Sequence, residues 1–537
     1  MALTVREAVF DLFRQAGVHT VFGNPGSTEL RMLRDWPADF DYVLGLQESV
    51  VLGMAAGHAI GTRGLAVANL HSAGGVGHAL GAVFNAYRDR VPVLILAGQQ
   101  SRSMLPTRPF LAADEPAAFP RPYVKWSGQP ERAQDVPGAV AEAYRMAMTP
   151  PRGPVFVSVP VDDWDEPATP VPVRQVYADF VGAPEALREL AEALNAARAP
   201  ALVVGAGVDE EDAQRAVVDL AERAVAAVFL APLSARSGFP EDHRLFSGSL
   251  PPVRDQLAAK LAGHDVVLSI GAPIFKYHVP ADGPFLPDGT RLYHLDSDPV
   301  QAAWAPVGTS VLSTVRAGVT ALLELVEKRD RPMPAPLARP QARAVADPIE
   351  PASVFDTLRP MLPDGSILVE EAPSHREEFH ARLPITRPGG FLTTGSGALG
   401  WAMPVAVGRA LVGAGTAVRP GERVVCVIGD GSSMYSIQAL WTAAHYRVPV
   451  TFLVLNNNGY EAVKQLCRRI QIPDVPGTDI RGIDFVAVAA GLGCPGRRVE
   501  HSSELADALA QALRADGPSL VEIPVTAGTA PAYPPAG

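Results

Sequence analysis

The chain has 537 residues, too many for one hydrophobic core, so about three domains of roughly 150 residues each are expected. Its net charge of -11 comes from acids and bases interspersed along the sequence, which excludes nucleic acid or an anionic membrane as the main partner. Cys426, Cys467 and Cys494 are too dispersed for a zinc knuckle or a disulfide framework, and no apolar run reaches the roughly 18 residues that span a bilayer; a reduced, cytoplasmic location is expected.

Thr4 and Glu7 form a capping box ahead of Val5, Ala8, Val9, Leu12 and Phe13, whose helical spacing predicts a first helix ending near Gly17. Short β-rich runs then alternate with helical stretches: 20–22, 42–46, 65–70, 91–97 and 155–159. That alternation predicts a parallel sheet wrapped by helices. Arg90-Val91-Pro92-Val93 is echoed by Arg447-Val448-Pro449-Val450, an offset of 357 residues from Val91 to Val448. Gly153-Pro154-Val155 is echoed by Gly517-Pro518-Ser519 at an offset of 364, so one fold is expected twice. Between the echoes lies a different α/β unit, with strands expected at 201–204, 225–230, 266–270 and 291–295 and proline-rich joints at 166–173 and 331–351. The expected architecture is three doubly wound parallel-sheet domains, at 1–178, 179–340 and 341–537, the first and third related. The Ala- and Pro-rich tail after Pro524 reads as a flexible end without a role.

Chemistry concentrates in two places. In the third domain, a buried-strand run over 423–428 turns through Gly429-Asp430-Gly431-Ser432 into a helix expected to begin near Ser432. A second strand, 451–455, ends in Asn456-Asn457-Asn458-Gly459, which puts Asn457 27 residues after Asp430. Magnesium takes about six hard oxygen ligands, and one carboxylate with one amide oxygen leaves positions for phosphate oxygens. The glycines admit a diphosphate close to the backbone, and a helix start offers free N–H groups. A Gly-Asp-Gly on its own is an ordinary turn. In the first domain, Glu48 stands between a strand and a small-residue helix over 50–60, among Leu44, Leu46, Val50 and Val51, where desolvation would raise its pKa. A Glu in the first turn of a helix is otherwise a partner for the helix dipole. Asn24-Pro25-Gly26-Ser27 makes a tight turn after the first strand, and His71 and His278 each follow a strand. Each taken alone has a structural account, as a cap or a satisfied ring.

Gly-Asp-Gly followed by Asn-Asn at this spacing resembles the signature of thiamine-diphosphate-dependent enzymes. With Ser27, His71 and His278, and with Gly98-Gln99-Gln100, Pro122-Tyr123-Val124-Lys125-Trp126-Ser127, Val161-Asp162-Asp163-Trp164-Asp165 and Ala439-Leu440-Trp441-Thr442-Ala443-Ala444, the whole chain is similar to the benzoylformate decarboxylase family among them. The resemblance implies non-oxidative decarboxylation of an aromatic 2-oxo acid such as benzoylformate, with thiamine diphosphate and Mg2+, or Ca2+, as cofactors. It implies that Glu48 bonds the aminopyrimidine ring, Ser27 the substrate carboxylate, and that His71 and His278 carry protons. Cofactor contacts are implied for Asn24, Pro25, Gly26, Ser374, Gly397, Leu399, Gly429, Gly431, Ser432 and Tyr460, and metal contacts for Asp430, Asn457 and the Gly459 carbonyl.

An apolar substrate pocket would come from Phe110, Leu111, Ala462, Val463 and Leu466, of which Phe110 and Leu466 depart from the family's pattern, as does Pro373 beside the phosphates. Since one methylene in a pocket changes binding by only about 1 to 3 kcal/mol, the acyl group stays open. A homodimer at least, and a homotetramer, is implied, with the cofactor held between the first domain of one subunit and the third of another. The alternative within the resemblance is a related decarboxylase or an acetolactate-synthase-like carboligase, whose flavin-binding relatives use the middle domain. There, Val203-Val204-Gly205-Ala206-Gly207 could suggest a nucleotide loop. Gly395-Ser396-Gly397-Ala398-Leu399-Gly400 has dinucleotide-loop spacing, but the acid that follows, Glu422, precedes its strand instead of ending it, so a nicotinamide site is not expected.

Overall fold

The computed structural model describes residues 3–412, 422–472 and 475–527; the end of the tail after Pro524, read above as a flexible end, lies outside them. The capping box forms as expected: the Thr4 hydroxyl accepts from Glu7 N and the Glu7 carboxylate from Thr4 N, opening α1, Val5–Gln15.

The first sheet contains β1 (Thr20–Gly23), β2 (Asp41–Leu44), β3 (Ala66–Leu70), β4 (Val93–Gln99), β5 (Trp126–Gly128) and β6 (Val155–Pro160), in the order β2-β1-β3-β4-β6-β5, all parallel. Strands β3, β4 and β6 are buried along their whole length, which is why they read as unbroken apolar runs instead of alternating ones. The central sheet contains β7 (Pro200–Val204), β8 (Ala227–Leu230), β9 (Phe246–Ser249), β10 (Val266–Ile270), β11 (Arg291–Asp296) and β12 (Thr309–Leu312), in the order β9-β8-β7-β10-β11-β12. This order differs from the first, so the middle unit is a separate fold. Five strands of the third sheet are β13 (Ile367–Glu371), β14 (Val424–Gly429), β15 (Val450–Asn456), β16 (Gly496–Arg498) and β17 (Ser519–Pro524). They run β13-β14-β15-β17-β16, the order of β1-β3-β4-β6-β5. The echoed segments therefore occupy equivalent strands: Val93 opens β4 where Val450 opens β15, and β6 matches β17.

By compactness the chain forms two units. One comprises residues 1–176, 342–382 and 396–537, uniting the first and third sheets; the other comprises 177–341 together with 383–395. In the second unit, the Gly205–Gly207 loop lies where the strand order reverses, between β7 and β10. A Cβ on Gly207 would come 2.8 Å from Gly271 Cα, and Gly207 N donates to Gly271 O. These glycines serve the close approach of two loops of the protein itself.

Within the first unit, α2 (Glu48–Thr62) crosses a later helix, α4 (Ala402–Ala410), at backbone contact. Its residues Gly53, Gly57 and Gly61, four apart, form one face. A Cβ on Gly57 would meet Val405 O at 2.2 Å, and a Cβ on Gly408 would meet Met54 O at 1.9 Å. Because both neighbours are backbone, neither can swing aside. Gly408→Val should therefore lower unfolding free energy by about 3 kcal/mol or more, at or above the usual range for overpacking, as read by urea denaturation. A variant as stable as the parent would show that the helices can separate.

Candidate functional site

The first group of predicted residues gathers at the carboxyl ends of β1, β2 and β3. Gln47 is the N-cap of α2, its side chain accepting from Ser49 N at 2.6 Å and Val50 N at 3.2 Å. Capping is thus done by Gln47, and the Glu48 carboxylate is left to project from the first turn, where it meets His78 Nδ1 at 3.1 Å. Val50 and Val51 beside it are fully buried, while Leu46 is exposed. His71 begins the next helix, α3 (Ser72–Arg88), without capping it. A Cβ on Gly75 would lie 3.3 Å from Glu48 Oε1 and 3.6 Å from His71 Cβ, so both side chains border that glycine. The Asn24–Ser27 turn reaches the same place: Asn24 N donates to Asn69 O, and a Cβ on Gly26 would fall 2.2 Å from His71 Nδ1. Ser27 is exposed. Ser72 Oγ donates to Leu111 O at 2.7 Å and Gln100 Nε2 to Phe110 O at 2.7 Å, which ties the backbone of Leu111 to the residue after His71 and that of Phe110 to the end of the β4 strand.

The second group lies at the ends of β13, β14 and β15. Asp430 is buried; its Oδ1 accepts from Gly431 N at 2.8 Å and its Oδ2 from Gly459 N at 2.9 Å. Burial pushes its carboxyl up from the ordinary value, against the pull of these backbone donors. The three asparagines divide the work. Asn456 Nδ2 donates to the buried Glu522 at 2.7 Å and its Oδ1 accepts from Asn458 N; Asn458 takes φ 58°, a conformation Asn tolerates. Asn457 Oδ1 is buried with no hydrogen-bond donor against it. The helix expected near Ser432 is a single turn, Asp430–Ser433, followed by i to i+3 turns up to a short helix, α5 (Ala439–His445). Glycine and paired serines are weak helix formers, and Ser433 Oγ bonds Asp430 O instead of solvent. Tyr460 lies over Gly431, where a Cβ would come 2.5 Å from its ring. Ala462, Val463 and Leu466 lie on α6, Glu461–Arg469, with Val463 exposed.

Gly397, at φ 82°, and Leu399 belong to a loop held at both ends. Asn85 of α3 donates to Ala398 O at 3.1 Å. The buried Glu371 accepts from Gly400, Trp401 and Ala402 N at 2.6 to 2.7 Å. Burial raises the Glu371 carboxyl to about 7 despite these bonds. Ser374 is half-buried, and beside it the buried ring of His375 is lowered to about 4.

His278 belongs to the second unit. Its backbone N donates to Pro252 O, and it lines a depression of about 440 Å³ with Arg254, Tyr277, Asp282 and Phe285.

Three sequence models of one family match the chain: the N-terminal TPP binding domain of thiamine pyrophosphate enzymes over residues 3–117, the central domain over 187–322 and the C-terminal TPP binding domain over 374–523. A benzoylformate decarboxylase of Pseudomonas aeruginosa is 41% identical over 97% of this chain and 98% of its own. The chain belongs to the thiamine pyrophosphate enzymes. Solved structures agree. The crystal structure of benzoylformate decarboxylase from Polynucleobacter necessarius superposes with a TM-score of 0.96 at 38% identity, over 98% of this chain and 99% of that one. A thiamine diphosphate-dependent 4-hydroxybenzoylformate decarboxylase of Rhodococcus jostii RHA1 gives 0.94 at 38% identity, with the same coverage.

The second group suits the diphosphate and a hard cation. Asn457 offers a buried oxygen without a donor, Asp430 a buried carboxylate, and the Gly431 backbone has no side chain between it and the Tyr460 ring. Among the described residues, no three His, Cys, Asp or Glu side chains converge into a metal-binding group, so a cation here needs phosphate oxygens to complete its shell.

Several residues of the site had escaped the sequence reading: Glu29, Glu371, Asn85, and the pair Thr442 and Tyr446, whose hydroxyls bond Leu44 O and N just ahead of Glu48. Only Thr442 lies in a stretch that carries the resemblance, and there without a role of its own. Glu29 carried the one legible hint, an acid three residues after the Gly26 turn.

Glu371→Gln should cost about 1 to 3 kcal/mol in urea unfolding, because three N–H groups meet an amide with one acceptor. The folded value near 7 lies above the ordinary 4.5, so the protonation of Glu371 stabilises the fold below pH 4.5 and that contribution is lost as pH rises through 7. The difference between parent and variant should change across that window; a pH-independent difference would refute the assignment.

Proposed function

We propose that the chain is a thiamine-diphosphate-dependent decarboxylase that converts an aromatic 2-oxo acid, benzoylformate first, into its aldehyde and carbon dioxide. The observation that carries this reading is that Glu48 and His71 border the same glycine, Gly75, while the Gly26 turn that bears Ser27 closes on the His71 ring. Thiamine diphosphate supplies, when bound, a carbon nucleophile and an electron sink for the pair left by the departing carboxylate. Mg2+ would be held by Asp430, Asn457 and the Gly459 carbonyl, and the diphosphate by Ser374, Ser432, Tyr460 and the backbone after Gly429. Gly397 and Leu399 would position the aminopyrimidine, to which Glu48 hydrogen-bonds. Ser27 binds the substrate carboxylate, and His71 and His278 move protons to and from the former keto carbon and its oxygen. Phe110, Leu111, Ala462, Val463 and Leu466 pack the aryl group and exclude water.

The working enzyme is a cytoplasmic homodimer or homotetramer, in which Glu48 of one subunit serves the Asp430 half of another. The domains divide the task at about 178 and 340: pyrimidine side, central unit, diphosphate side.

With thiamine diphosphate and Mg2+, benzaldehyde should form faster from benzoylformate than aldehyde does from phenylpyruvate, branched 2-oxo acids or pyruvate. Glu48→Gln should slow it at least about 100-fold. No aldehyde from any of these acids would leave carboligation as the reading. Subunit sharing has its own test: inactive Glu48→Gln and Asp430→Ala chains, co-expressed and mixed at random, should regain about a quarter of parental activity, since each mixed pair rebuilds one intact site. Absence of recovery would place both halves in one chain.

A further inference from the structure

The Glu29 side chain is 1% exposed, and a carboxylate is buried at such depth only when it is hydrogen-bonded on every side. Its Oε1 accepts from Gly98 N at 3.0 Å and from Thr28 Oγ1 at 2.6 Å. Its Oε2 accepts from Gly26 N at 2.8 Å and lies 2.9 Å from His71 Nδ1. Two of these partners are backbone N–H groups that can only donate, one on each oxygen, which favours the ionised, acceptor-only carboxylate.

Thr28 Oγ1 also lies 3.0 Å from His71 Nδ1. A hydroxyl has one proton, and the 2.6 Å contact to Glu29 uses it, so toward His71 that oxygen can only accept. Both atoms facing Nδ1 are therefore acceptors, and Nδ1 must carry a proton. In the neutral ring the lone pair is then on Nε2. The surrounding backbone is shaped for this contact: a Cβ on Gly98 would come 2.1 Å from Glu29 Oε1, and one on Gly26 2.2 Å from Nδ1.

We infer that Glu29 is the positioning residue of His71: it holds the ring as the Nδ1–H tautomer, so that Nε2 is the atom that exchanges protons with substrate, and it offsets the positive charge when Nε2 takes one. The role toward substrate rests on the decarboxylase reading above; the tautomer does not.

Neutron diffraction from perdeuterated crystals of the holoenzyme reads the tautomer directly. Deuterium on Nδ1, with Nε2 bare or also deuterated, is the expected result; deuterium on Nε2 with Nδ1 bare would overturn the inference whatever the enzyme's activity. Glu29→Gln should lower kcat for benzoylformate about 10- to 100-fold, as loss of a ring-orienting partner does. KM and thiamine diphosphate affinity, the latter by fluorescence titration, should change less than about two-fold, since a positioning loss leaves ground-state binding alone. An unchanged kcat would equally overturn it. If the variant does not fold, the diffraction result decides alone.

Discussion

The contact between α2 and the helix at Ala402–Ala410 governs the rest of the site. Backbone of one helix rests on backbone of the other, with glycines on both sides and no side-chain volume to yield. The first carries Glu48 at its start; the second begins directly after the Gly397–Leu399 loop. Glu371 bonds the N–H groups at the start of the second helix, and Thr442 and Tyr446 bond the strand end that leads to Glu48. The half that bears Glu48 and the half that bears Asp430 are thereby fixed to one another inside a single chain. Packing at backbone distance is close to rigid, so each half inherits the other's position.

Within that frame the polar groups follow one design. Glu29, Glu371 and Asp430 are all buried carboxylates, and each is met by backbone N–H groups that include those of glycines. Backbone donors cannot rotate away, so they hold an acceptor in a fixed orientation without the entropy cost of ordering another side chain. The expense is burial, visible in the raised carboxyls of Glu371 and Asp430. For Asp430, a cation would offset that expense, which is the electrostatic reason a lone buried aspartate beside an unsatisfied asparagine oxygen suits a metal.

How much of this was legible in the sequence depended on range. The capping box at Thr4, the strands and the echo between Val91 and Val448 are local patterns, set by propensity and period, and they were readable. The Asp430 and Asn457 pair is readable because Gly-Asp-Gly followed by Asn-Asn resembles the signature of thiamine-diphosphate-dependent enzymes, and the sheet sets the two strands side by side. Gly-Ser-Ser reads as a helix start and a helix does begin there, but weak helix formers sustain only one turn before the chain takes i to i+3 turns. Glu29, Asn85 and Tyr446 were illegible for another reason. Their partners lie 42, 313 and 402 residues away, and a contact at that separation leaves no periodic mark.

In the proposed function, the acyl group would be set by a different class of residue from those that would hold the cofactor. Phe110 is 85% exposed, and Leu111 and Val463 are exposed as well, although Ser72 and Gln100 fix the loop that displays the first two. Apolar side chains on a backbone held in place by hydrogen bonds, yet left open to water, gain only when another surface covers them. In the proposed dimer that surface is a second subunit, so the aryl pocket would be completed by assembly, whereas the polar geometry around His71 and Asp430 is already complete in one chain. Substitutions such as those at Phe110 and Leu466 can then change the preferred acid while the Glu29, Glu48 and Asp430 networks stay as they are, because no hydrogen bond of those networks runs through a pocket side chain.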